Sequence, residues 1–147
     1  MSLEENKTIV RKVYEAFNER NTDMTNEIIA PDYVDYTNQI QGLESGKKFI
    51  TMFWEGFPDI YWSIEDIIAE GDKVWVRAKI TGTHTGEYRG LVPTGKKFTI
   101  SAVDIWHIVN GKIVECWAVD DWMDCFKQLG VIEYTDKGKK LFPEADK

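Results

Sequence analysis

Asn110-Gly111 is the dipeptide that most constrains how this chain can fold. A two-residue type I′ turn needs positive φ at both central positions, and Asn-Gly meets that need at little cost. It lies between residues 98–109 and 112–120, two runs rich in β-branched and aromatic residues. The turn therefore predicts a long antiparallel hairpin, and a hairpin with a fixed turn has a fixed register. Pairing Val109 with Lys112 and counting outward puts Trp106 opposite Glu115, Asp104 opposite Trp117, Ala102 opposite Val119 and Ile100 opposite Asp121. Side chains alternate along a strand, so this set shares one face. With Phe98, Ile108 and Ile113 it is the more apolar face and is expected to point inward. His107 falls on the opposite face, where a subunit contact is expected.

The rest of the chain supplies the cover. Ser2 with Glu5 forms a capping box, and Ile9, Val10, Val13, Tyr14, Ala16 and Phe17 follow at helical spacing. A short second helix is expected around Met24, Ile28 and Ile29, ending before Pro31. Residues 33–36 read as a brief strand. A third helix opens at Gly42 and carries Ile50, Phe53, Trp54 and Phe57 on one face. Residues 60–70 and 73–85 read as strands about Gly71-Asp72, in which Arg77 pairs with Asp66. Residues 86–97 read as a loop rich in Gly and Pro. A last short helix runs from Trp122 to Leu129, with Gly130 past its end. Helices first and an antiparallel meander afterwards make an α+β class, with the N-terminal helices packed on the concave face of a curved antiparallel sheet. We expect one domain over 1–130 and a charged C-terminal tail over 131–147.

Two carboxylates interrupt the inward face. Asp104 and Asp121, set among Trp and aliphatic carbons, would be hard to ionise, and each would raise the other's pKa. Carboxyls tuned in this way accept and return protons near neutral pH. The plain alternatives are that Asp121 caps the helix at Trp122 and that Asp104 binds a buried Trp or Tyr donor. His84 either guards a pocket mouth or bonds backbone in its loop.

Composition narrows the partners. A net charge of −7 opposes phosphate backbones and anionic lipid, so neither nucleic acid nor a membrane surface is expected. Cys116 and Cys125 form no metal-ligand spacing, and with only two His no metal site is expected. The first residues are charged and carry no apolar core, so a cytoplasmic protein with reduced thiols is expected. Six Trp among 147 residues favour a cavity for a small hydrophobic molecule.

Residues 58–59, Pro-Asp, then 64–74, Ile-Glu-Asp-Ile-Ile-Ala-Glu-Gly-Asp-Lys-Val, resemble the central segment of the SnoaL-like polyketide cyclase family. So do Gly82-Thr83-His84-Thr85-Gly86-Glu87 and Pro93-Thr94-Gly95. The ending, with Gly111-Lys112-Ile113-Val114-Glu115, Trp117, Val119, Asp121 and Gln128-Leu129-Gly130, matches too. The resemblance implies the cone-shaped NTF2-like fold and a homodimer or higher homo-oligomer formed through the sheet. It implies aldol ring closure on a small hydrophobic carbonyl compound, with no cofactor and no metal. The family's general acid/base aligns with Asp121, and a pocket Tyr aligns with Tyr14. The chain departs from the family in having Tyr36 and Asn38 where His or Asn is frequent, and His107 where Arg is frequent.

The expected enzyme thus has Asp121 as acid/base, Asp104 as its electrostatic neighbour and Tyr14 and Tyr36 as hydrogen-bonding groups. Phe17, Phe53, Phe57, Trp106, Trp117 and Val119 are its expected walls. The competing readings are a non-catalytic small-molecule-binding protein with the same cavity, and an oligomer whose cavity is filled by its own side chains.

Overall fold

A computed structural model describes residues 2–143. Helix α1, Leu3–Glu19, starts at the expected capping box: Ser2 Oγ accepts from Glu5 N–H at 3.1 Å and Glu5 accepts from Ser2 N–H at 3.0 Å. Its apolar stripe, including Val10, Val13 and Tyr14, is buried. A 3-10 turn, Thr22–Thr25, leads into strand β1, Ile29–Asp35, then β2, Ile40–Gln41, and helix α2, Leu43–Gly56. Strands β3, Tyr61–Glu70, β4, Lys73–Thr83, β5, Lys97–Val109, and β6, Lys112–Asp120, follow. Helices α3, Trp122–Leu129, and α4, Asp136–Leu141, complete the described chain.

The second helix expected before Pro31 is not formed. One 3-10 turn takes its place, and Pro31 lies inside β1. The ladder between β1 and β6 shifts between Ile29 and Val34, so Pro31 occupies a stretch where no ladder N–H is required.

The six strands form one open sheet in the order β2-β1-β6-β5-β4-β3. All neighbours are antiparallel except β1 and β6, which run parallel. Register shifts in β3 and β6 bend the sheet, as an extra residue in one strand increases local twist. Helix α1 lies across the hollow. The Asn18 side chain bonds both the N–H and the carbonyl of Trp62, at 2.8 Å each, and Trp54 Nε1 donates to the Phe17 carbonyl at 3.1 Å. These contacts fix α1 between the far sheet edge and α2.

The hairpin turn is as expected, with φ of 49° at Asn110 and 77° at Gly111. Its register is a correction to the sequence reading. Val109 pairs with Lys112 and Ile108 with Ile113, but His107 then pairs with Glu115, leaving Val114 as an extra residue. Beyond that bulge Asp104 faces Ala118, Ala102 faces Asp120 and Trp106 faces Cys116. One inserted residue exchanges the faces of every later side chain. Trp117, Val119 and Asp121 therefore leave the inner face, and Cys116, Ala118 and Asp120 join it.

The loop after β4 is held by close approach. A Cβ at Gly86 would lie 1.8 Å from the Glu55 carbonyl oxygen at the end of α2. This contact keeps Tyr88 packed on Phe53 and Phe57, with ring centroids 5.8 and 5.1 Å away. Gly86→Ala is expected to lower stability by about 1–3 kcal/mol, the cost of overpacking, measured by the midpoint of urea unfolding.

Candidate active site

Asp104 sits midway along β5 and points into the hollow, where it is 5% exposed. Its Oδ2 accepts a 2.5 Å hydrogen bond from Tyr14 Oη on α1. Trp106 Nε1 donates to the same Tyr14 oxygen at 3.1 Å. The chain Trp106–Tyr14–Asp104 thus sets the carboxyl's orientation from two elements. Burial and the neighbouring Asp104 charge push the Tyr14 phenol well above its ordinary range, so it stays a donor.

Asp120, at the end of β6, is the second carboxyl of the pair. It lies beside Asp104, close enough for the two carboxyls to interact directly. Burial raises the pKa of both. The Asp104 charge raises Asp120 further, to about 9, whereas the bonds from Asp120 and Tyr14 oppose the rise at Asp104. Two buried carboxyls side by side oppose double ionisation, so near neutral pH the pair favours holding a proton between them. Asp35 on β1 adds a third carboxyl at 5% exposure, held by the Asn38 N–H and side-chain amide at 2.9 and 2.8 Å.

These carboxyls open onto a cavity walled by Trp54, Trp62, Trp106, Trp122, Phe17 and Phe53. Its volume, measured to the centres of water-sized spheres, is about 100 Å³. One water needs roughly 10–15 Å³ by that measure, so the space suits a larger guest. Phe53 stacks on Trp122 with ring centroids 4.7 Å apart, which forms one flat wall.

The expected site residues divide into three groups. Asp104, Phe17, Phe53 and Trp106 line the cavity, and Tyr14 stands directly behind Asp104. Phe57 is fully buried but packs against His84, Tyr88 and Phe98 in the core beside the cavity. Tyr36, Trp117, Val119 and Asp121 are corrections. Trp117 stacks on Tyr36 on the outer face at 5.2 Å, and Tyr36 donates to Glu115 at 2.6 Å. Val119 is 70% exposed. Asp121 is exposed and caps α3, its Oδ1 accepting from Asp124 N–H at 3.1 Å. The bulge at Val114 is the cause for Trp117, Val119 and Asp121.

Asp120, Asp35, Trp62 and Trp122 were not foreseen as site residues. A usable signal for Asp120 was present: Cys116 and Ala118 are small side chains at alternate positions ahead of it, the spacing that leaves room over a cavity floor. His84 is buried and its Nδ1 accepts from Thr94 N–H at 3.2 Å, so it anchors its own loop. Arg77 pairs with Asp66 at 2.6 Å on the exposed side. His107 bonds Glu115 at 2.5 Å and Asp72 at 2.7 Å, and the Glu115 bond foremost raises its pKa. Among the described residues no group of three or more His, Cys, Asp and Glu could hold a metal ion, and no helix is long and apolar enough to cross a membrane.

An open curved sheet, helices across its hollow and a polar floor under aromatic walls define an NTF2-like small-molecule fold. The model of the SnoaL-like polyketide cyclase family matches residues 7–129, and the chain belongs to that family. Among its relatives, the aklanonic acid methyl ester cyclase AcmA of Streptomyces galilaeus is 32% identical over 82% of this chain and 88% of its own. The nogalonic acid methyl ester cyclase of Streptomyces nogalater is 31% identical over 84% of this chain and 96% of its own. The crystal structure of AclR from Streptomyces galilaeus, named as a candidate hydroxylase, superposes with a TM-score of 0.80 at 28% identity, covering 90% of this chain and 100% of that one.

The carboxyl pair makes stability depend on pH. Both groups hold protons more tightly in the folded protein than in the unfolded chain. Folded protein therefore binds more protons between the ordinary carboxyl value of about 4 and the value of about 9 at Asp120. In that window stability falls as pH rises. Melting temperatures are expected to decline from pH 5 to pH 9 in the wild type, and Asp120→Asn is expected to flatten the decline.

Proposed function

We propose that this chain closes a ring in a neutral polyketide-like ester by intramolecular aldol addition, with Asp104 as base and Asp120 as acid. The observation that carries this reading is that two carboxyls, Asp104 and Asp120, lie side by side on the floor of one aromatic cavity. A carbon between two carbonyls is acidic enough for a carboxylate of raised pKa to deprotonate. Asp104 takes that proton, the enolate carbon attacks the second carbonyl, and Asp120 protonates the resulting alkoxide. The proton on Asp104 then passes to Asp120 beside it. One C–C bond forms and no proton or electron is gained or lost overall, so the step calls for no cofactor. Aromatic walls fold the substrate and exclude water, which favours the internal reaction.

Asp120 is preferred to Asp121 because it is half-buried and lines the cavity beside Asp104, whereas Asp121 caps a helix in solvent. Aklanonic and nogalonic acid methyl esters, the compounds in the relatives' names, are the first substrates to try. Asp104→Asn and Asp120→Asn are each expected to lower kcat by roughly a hundredfold to ten-thousandfold, the usual worth of general acid–base catalysis. Ring closure followed by chromatography reads this out, and fluorescence titration checks that substrate still binds. Asp121→Ala is expected to lower stability by about 1 kcal/mol through loss of the cap, with turnover preserved. Loss of turnover in Asp121→Ala alone would return the acid/base role to that residue. Tight binding of both esters without turnover would make the chain a binding protein.

The free acids are expected to bind at least about tenfold more weakly than the esters, since a like charge near a buried carboxylate is disfavoured. On the outer face Ile68, Trp75, Ile105 and Trp117 form a row across four strands. That row supports a homodimer through the sheet, which sedimentation velocity would test.

A further inference from the structure

Acidic side chains dominate the cavity floor. Asp35, Asp104 and Asp120 reach it from three strands. The titratable groups beside them are Tyr14 from α1, Tyr33 from β1 and Cys116 from β6, all buried and all holding their protons. Among the described residues lining the cavity, Lys47 on α2 is the one basic side chain. Its Nζ already contacts Glu44 at 3.4 Å and the Asn26 side-chain oxygen. Lys47 is thus engaged by Glu44 and Asn26, and among the described residues no ion pair joins it to the floor carboxyls. Oδ1 of Asp104 and Oδ1 of Asp120 are buried and receive no hydrogen bond. Four Trp rings surround this floor, and the face of an indole ring attracts a cation.

We propose that the cavity floor is a recognition site for a primary ammonium group carried on a flat apolar body. The ammonium offers three N–H donors. Two of them serve Asp104 and Asp120, replacing the shared proton, and Asp35 adds a further negative charge to the same space. The exchange balances: one protonated amine enters, one proton leaves the carboxyl pair for solvent, and no covalent bond other than that O–H changes. The aromatic body lies between the Trp and Phe walls that would otherwise hold a ketone. This binding goes beyond ring closure, and it is measured without turnover.

The probes are 1-naphthylmethylammonium and its neutral counterpart 1-naphthylmethanol, titrated into the full chain by calorimetry at pH 6, 7 and 8. The ammonium is expected to bind at least about tenfold more tightly than the alcohol at pH 8. Its affinity is expected to rise by about tenfold per pH unit, the slope for release of one proton. Titration in two buffers of different ionisation enthalpy should show close to one proton released per amine. Asp104→Asn and Asp120→Asn are each expected to erase the preference while the alcohol still binds. Equal or tighter binding of the alcohol, absence of proton release, or failure of both probes to bind would overturn the proposal. The wild-type comparison decides the matter if either variant fails to fold. Amine preference in a protein that closes no ring would count against the cyclase reading alone.

Discussion

The site depends on one buried bond, the 2.5 Å contact from Tyr14 Oη to Asp104. A carboxylate in an aromatic cavity is expensive unless hydrogen bonds satisfy it. Tyr14 supplies one such bond from α1, and Trp106 fixes Tyr14 from the neighbouring position on Asp104's own strand. Asp120 lies beside Asp104, and burial raises the pKa of both carboxyls. The arrangement therefore holds two carboxyls and a phenol in one compact unit. The same feature makes the folded protein less stable as pH rises, so the chemistry and the stability of the fold draw on the same two groups.

A single inserted residue decides which aspartate enters that unit. Asp120 and Asp121 are adjacent, and alternation along a strand sends only one of them inward. The bulge at Val114 shifts the pairing so that Asp120 faces the hollow. Asp121 is left at the strand end, where its carboxylate is useful as a cap on α3. Cys116 and Ala118 share the inner face with Asp120, and their small side chains leave the volume that Trp62, Trp106 and Trp122 enclose.

The elements of the fold were largely legible in the sequence because each carries a local signal. Ser2 and Glu5 mark the start of α1, Asn110-Gly111 the hairpin, and Gly130 the end of α3. The side chains of β5 were placed on the correct face for the same reason, since alternation from the turn is unbroken along that strand. What escaped depends on how strands pair, which no single segment encodes. A bulge has no residue signature at Val114 and shows itself only in how β6 matches β5. Asp35 enters the site because β1 lies parallel to β6, a pairing that no local pattern encodes. The early 3-10 turn was read as a helix because Met24, Ile28 and Ile29 have helical spacing, while the pairing of Ile29 with Ile113 draws that stretch into the sheet.

The charge of the cavity also limits the chemistry it can host. In the ring closure proposed above, with Asp104 as base and Asp120 as acid, the enolate must not add a second negative charge to the cavity. It does not, because the proton removed from carbon neutralises Asp104 as the enolate forms. The negative charge moves from the carboxylate to the substrate and, after ring closure, from the alkoxide to Asp120. Net charge in the cavity stays constant at every stage, which suits a low-dielectric space that cannot screen a new charge. A substrate arriving as a free acid would break that balance before any proton moved, and an ester keeps it. Asp35 raises the pKa of both catalytic carboxyls through space. In the proposed reaction that charge would make Asp104 a stronger base and keep a proton on Asp120 until the alkoxide, a stronger base still, is there to take it.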